Sequence, residues 1–123
     1  MIRGTVTAQR EAVVSLRIIG PAREIQLETV VDTGFNDFLT LPPNVIDDLG
    51  LSFAASMLAT LADGNIVETS SYRATVLWDG QKRDVFVLAF DGGALLGMSL
   101  LFGFDLHVEC VEGGIVTINK RSE

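Results

Sequence analysis

The sequence predicts a mainly β fold, a closed barrel-like body of short strands with one or two short helices. Two observations carry that expectation. Apolar and polar residues alternate with a period of two along several runs, and Asp-Gly and Gly-Gly turn signals separate those runs. Helical periodicity is scarce.

The elements follow in order. A first strand is expected over 2–7. The second, over 12–19, puts Val14, Leu16 and Ile18 on one face, and the third, over 24–31, does the same with Ile25, Leu27, Thr29 and Val31. A short extended run at 38–41 leads into "PNVIDDLG", which reads as a helix with Pro43 in its first turn and Gly50 as its stop. Further strands are expected over 56–61, 66–78, 83–90, 105–111 and 115–120. In the longest, Ala74, Val76 and Trp78 share a face, and "DVFVLAF" in the next reads as a buried strand. "MSLLFG" is a second short helix. The pairs Asp63-Gly64, Asp79-Gly80, Asp91-Gly92 and Glu112-Gly113 mark tight turns between them.

At 123 residues the chain is expected to form one domain, since this length buries roughly two thirds of the unfolded surface. Its 48% apolar and 20% charged residues suit a globular protein, and no linker or repeat divides it. The net charge of −7 sets it against nucleic acid and anionic membrane, which repel it at long range. "ALLGMSLLFGF" is about half the length of a membrane span. "MIRGTVTAQRE" lacks the apolar core of a signal peptide, and the lone Cys110 suits a reducing compartment, so a cytoplasmic location is expected.

Several chemistries find no support. His107 is the only histidine, and Cys110, three positions on in a strand, falls on the opposite face, so the two make no nucleophilic dyad. His107 is expected on the solvent side and Cys110 in the core. One His and one Cys cannot build a zinc site, the acids do not follow a calcium-loop pattern, and no glycine-rich phosphate loop is present. No metal and no cofactor are expected.

"VVDTGFNDF", residues 30–38, carries the sharpest signal. It puts Asp32 where a strand passes into a loop among apolar neighbours. A carboxylate there is costly to desolvate unless it is hydrogen-bonded or shares a proton, and that cost is tolerated mostly at functional sites. Further on, "ALLGMSLL" repeats the theme of apolar residues, a glycine and a short apolar helix.

Asp32-Thr33-Gly34 followed by Leu95-Leu96-Gly97 and Leu100-Leu101 resembles the aspartic proteases of the retroviral type. The fuller pattern, from "VDTGF" through "LTLP", "LADG" and "LLGMSLL" to "GGIVTI", looks like the small single-domain aspartic proteases of bacteria and archaea, and it spans most of the chain. That resemblance implies an aspartic protease fold with one lobe per chain. It also implies a homodimer in which Asp32 of each copy activates one water against a peptide substrate. Two carboxylates about 3 Å apart cannot both ionise, so they share a proton; aspartic proteases are the standard instance of such a dyad.

The same resemblance assigns other roles. Thr33 would hydrogen-bond across the dimer axis, and Gly34 would let the backbone turn close to substrate. Ala62, Asp63 and Gly64 would form the tip of a flap that closes over the peptide. Asn36 and Asp37 would lie near the substrate backbone, while Leu95, Leu96 and Gly97 would pack behind the catalytic loop. Phe35 is a departure, because the family commonly has Ala, Ser or Thr there. A hydroxyl at that place can donate to the catalytic carboxylate and Phe35 cannot; its ring would narrow a substrate pocket or enter the core. A peptide-binding or dimerisation module with this fold and little turnover is the alternative.

Overall fold

Alternation in the sequence becomes alternation of burial in the structure, a computed structural model that describes residues 1–122. Val14, Leu16 and Ile18 are buried while Ser15 and Arg17 between them face solvent. Ala74, Val76 and Trp78 are likewise inside.

The strands are β1 (Ile2–Val6), β2 (Ala12–Ile19), β3 (Glu24–Val31), β4 (Leu39–Leu41), β5 (Ser52–Thr60), β6 (Ile66–Trp78), β7 (Gln81–Ala89), β8 (Leu95–Leu96), β9 (Phe104–Val108) and β10 (Ile115–Lys120). Helix α1 (Pro43–Leu49) follows β4, and α2 (Met98–Leu101) follows β8. No helix among the described residues is long and apolar enough to cross a membrane.

All ten strands belong to one sheet, ordered β5-β6-β7-β4-β8-β3-β2-β1-β10-β9. A further pairing of β6 with β2 closes β2, β6, β7, β4, β8 and β3 into a ring. β6 makes this possible by its 13-residue length: its first half pairs with β5, and its second half with β7 on one side and β2 on the other. Inside the ring Ile18, Leu39, Leu41, Val76, Val87 and Leu96 are all but inaccessible, and Ile118 of β10 packs into the same core. Each such side chain contributes about 1.5–3 kcal/mol. An exposed ion pair such as Arg17–Glu24 contributes ~0–1 kcal/mol. The core therefore holds the ring, and surface charge does not.

Four expectations need correction. β5 begins at Ser52, not 56, because its start pairs with Arg73 and Tyr72 across an irregularity between Phe53 and Ala55 that breaks the two-residue alternation. β8 is a strand that the sequence pattern does not predict, because two residues are too few to show a period. β9 ends at Val108, not 111. Glu109 already belongs to the turn, where its side chain accepts the Ile115 N–H at 2.9 Å. Cys110 thus leaves the strand and is exposed rather than in the core. His107, still within β9, is exposed as expected.

Candidate active site

Asp32 directly follows β3, and β8 lies between the two strands, β3 and β4, that flank its loop. β8 runs parallel to β3, with Val30 opposite Leu95 and Val31 opposite Leu96. The Asp32 N–H donates to the Leu96 carbonyl at 2.9 Å, so this pairing continues up to the carboxylate-bearing residue itself. The Phe35 N–H then returns to the Asp32 carbonyl at 3.1 Å, closing a turn. The side chain is part-buried, and its Oδ1 accepts the Gly34 N–H at 2.9 Å.

The segment after the turn has no ladder of its own, and every one of its carbonyls is taken up from one place. Gly97 N–H donates to Phe38, Met98 N–H to Phe35 and Ser99 N–H to Asp37, at 2.9, 2.8 and 3.2 Å. The Ser99 hydroxyl donates to Asn36 at 2.6 Å. Gly97 is fitted so closely that a Cβ on it would stand 2.1 Å from the Asp37 oxygen and 2.8 Å from the Phe35 oxygen. Only a residue without a side chain allows that approach. Arg83 secures the layer behind: it donates to the Ser99 and Leu100 carbonyls and stacks over the Phe38 ring, 5.5 Å from its centre.

Thr40 ties the two walls together. Buried between Leu39 and Leu41, its hydroxyl donates to the Gly93 carbonyl at 2.9 Å and accepts the Leu95 N–H at the same distance. Thr40→Val leaves both backbone groups without that partner in a part-buried place. Its expected cost is about 1–3 kcal/mol, read as a lower denaturant midpoint at unchanged slope.

Asp32 opens into a groove of about 600 Å³. Thr40, Leu88, Ala89 and Leu95 form one side of it, with Phe35 beside Asp32. The other side is the β5–β6 hairpin, through Ala59, Leu61, Ala62, Val67 and Thr69. At the hairpin tip the Leu61 N–H donates to Asn65 and the Gly64 N–H to Leu61, with Gly64 at φ 87. This is a type I turn closed by a glycine bulge. The Thr69 hydroxyl donates to the Ala89 carbonyl at 3.1 Å, tying the hairpin's base to the opposite wall.

The expected residues thus divide. Asp32, Gly34, Phe35, Ala62 and Leu95 meet in the groove, and Leu96 and Gly97 stand behind the loop. Thr33 is exposed beside Asp32. Asp63 and Gly64 are exposed at the hairpin tip, and Gly64 makes the bulge. Asn36 and Asp37 turn into other hollows: Asn36 sits with Met98 and Phe102, Asp37 with Met57 and Leu88. Nothing local in the sequence marks Thr40, Thr69, Arg83 or Ser99 beyond, for Thr40 and Ser99, a lone hydroxyl within an apolar run. Among the described residues no three His, Cys, Asp or Glu side chains gather as a metal-binding set.

With this geometry a solved structure compares over nearly the whole chain. It is a retropepsin-like aspartic protease from Rickettsia conorii, superposing with a TM-score of 0.57 over 99% of this chain and 92% of that one. The two chains share a fold. At 16% identity the likeness extends to the retropepsin-like fold alone. No protein-family model matches the chain, and no curated protein matches its sequence.

Proposed function

We propose that the chain is one half of a homodimeric aspartic endopeptidase, with Asp32 of each copy sharing one water and one proton. The observation that carries this reading is the position of Asp32. It is the acid of an Asp-Thr-Gly turn in a retropepsin-like fold, lining a groove whose other side is the β5–β6 hairpin. In the reaction one carboxylate takes a proton from the water as it attacks the peptide carbonyl. The other, protonated, donates to the oxygen that gains charge, and the tetrahedral species then collapses with protonation of the leaving amine. The groove suits an extended peptide, held by main-chain hydrogen bonds with side chains in the flanking hollows. Exposed Thr33 next to Asp32 gives the second copy a contact at the axis.

A second reading, a peptide-binding module with little turnover, is favoured by Phe35. Its ring packs on Gly97 and lines the groove where a hydroxyl could have donated to the carboxylate.

The test compares the wild type with Asp32→Asn on a library of unstructured peptides. Cleavage is expected between about pH 4 and 6.5, inhibited by a statine-type compound and lost in the variant. Cleavage that persists in Asp32→Asn overturns the assignment, while binding without turnover in both proteins selects the second reading. Because each chain supplies a single Asp-Thr-Gly, activity per chain is also expected to fall on dilution, in step with the dimer fraction seen by sedimentation. A strictly monomeric protein that still cleaves at micromolar concentration removes the shared-water mechanism.

A further inference from the structure

Beyond the base of the hairpin, further hollows lie along the same face of the sheet as the Asp32 groove. Along β6, Thr69, Ser71, Arg73 and Thr75 share one face by the two-residue period of a strand. The register with β7 sets Leu88 opposite Ser71, Phe86 opposite Arg73 and Asp84 opposite Thr75, making one strip of side chains. Three hollows follow one another along it. The first is the Asp32 groove, which reaches Thr69 and Leu88. The second, about 300 Å³, runs from Leu88 to Phe86 past Asp37. The third, about 640 Å³, starts at Phe86 and is walled by Ile19, Pro21, Phe38, Arg73 and Asp84. Each hollow shares a lining residue with the next.

We propose that the third hollow is a distal binding site for the flank of the same extended polypeptide that meets Asp32, and that it selects an apolar side chain accompanied by a carboxylate. The proposal rests on the peptide-groove reading above. Distance fits: from Thr69 to Thr75 a strand advances about 20 Å at ~3.3 Å per residue, so a segment laid along the strip reaches the third hollow about six residues beyond the part that fills the Asp32 groove. The walls fit as well. Phe86 is a large aromatic left 49% exposed on the strip, beside Ile19 and Pro21. Asp84 is engaged by the Thr75 hydroxyl at 2.8 Å. Arg73 is exposed and, among the described residues, in no ion pair, which leaves a cation for an incoming acid. In a two-fold dimer each copy presents one such hollow, so both flanks of the peptide are read.

Two labelled peptides test this, one of eight residues centred on a cleaved bond and one extended by six residues on each side, with Phe-Asp at the ends. Affinity is measured by fluorescence anisotropy on Asp32→Asn protein, so the result does not depend on turnover. The long peptide is expected to bind at least tenfold more tightly. Arg73→Glu is expected to erase that ratio and to restore it when Phe-Lys replaces Phe-Asp; Phe86→Ser, checked for folding, is expected to reduce it for both. Equal affinity for the two peptides, or a ratio that Arg73→Glu leaves unchanged, overturns the distal site, whether or not the wild type cleaves. Loss of binding to both peptides in correctly folded protein overturns the groove reading and the distal site together.

Discussion

Asp32→Asn is expected to lower peptide cleavage by about 10³-fold or more while leaving the fold in place. Because the proposed site is made by two copies, one substitution changes both carboxylates, and neither general base nor general acid survives. The amide still offers Oδ1 to the Gly34 N–H, so the hydrogen bond that shapes the turn is kept. The thermal midpoint should therefore move by only about 2 °C. Measuring cleavage and unfolding on one preparation separates the two effects. A variant that loses activity only because it unfolds would show a large drop in midpoint, and the loss would then say nothing about catalysis.

Gly97→Ala is expected to be severely damaging, although it adds a single methyl group. The added carbon would meet the Asp37 carbonyl oxygen at 2.1 Å and the Phe35 oxygen at 2.8 Å, and both are backbone atoms that cannot rotate away. Either the loop shifts or β8 does, and each shift breaks the contacts that hold residues 35–38. Overpacking of this kind costs about 3 kcal/mol, or roughly 10 °C in the midpoint of a chain this size. Activity should fall further than stability, because the displaced loop carries Asp32. A variant with wild-type midpoint and activity would show that residues 97–99 do not position the loop.

How far the sequence reveals the molecule depends on the range over which each interaction acts. Strands with one buried face, such as β2 and the second half of β6, print their period on the chain and are readable from it. The Asp32 turn is readable for a similar reason, since Asp-Thr-Gly is local. The start of β5 is not, because its pairing crosses an irregularity, and β8 is too short to have a period. The placing of Asn36 and Asp37 away from Asp32 depends on how Met98 and Ser99 hold the loop carbonyls, and those residues lie far along the chain. Thr40 and Arg83 act through such distant contacts too, so neither carries a local mark of its task.

During synthesis Asp32 leaves the ribosome well before the residues that shape its surroundings. Leu96, Gly97 and Ser99 follow it by roughly half the chain, an interval on the order of 3–13 s at about 5–20 residues per second. Until they arrive, Asp32 lacks its backbone partner at Leu96, and the carbonyls of residues 35–38 have only water to accept from. The pairing of β3 with β8 also joins distant parts of the chain, a kind of contact that forms late because loop closure must come first. A partly made chain therefore carries Asp32 as an ordinary acidic residue.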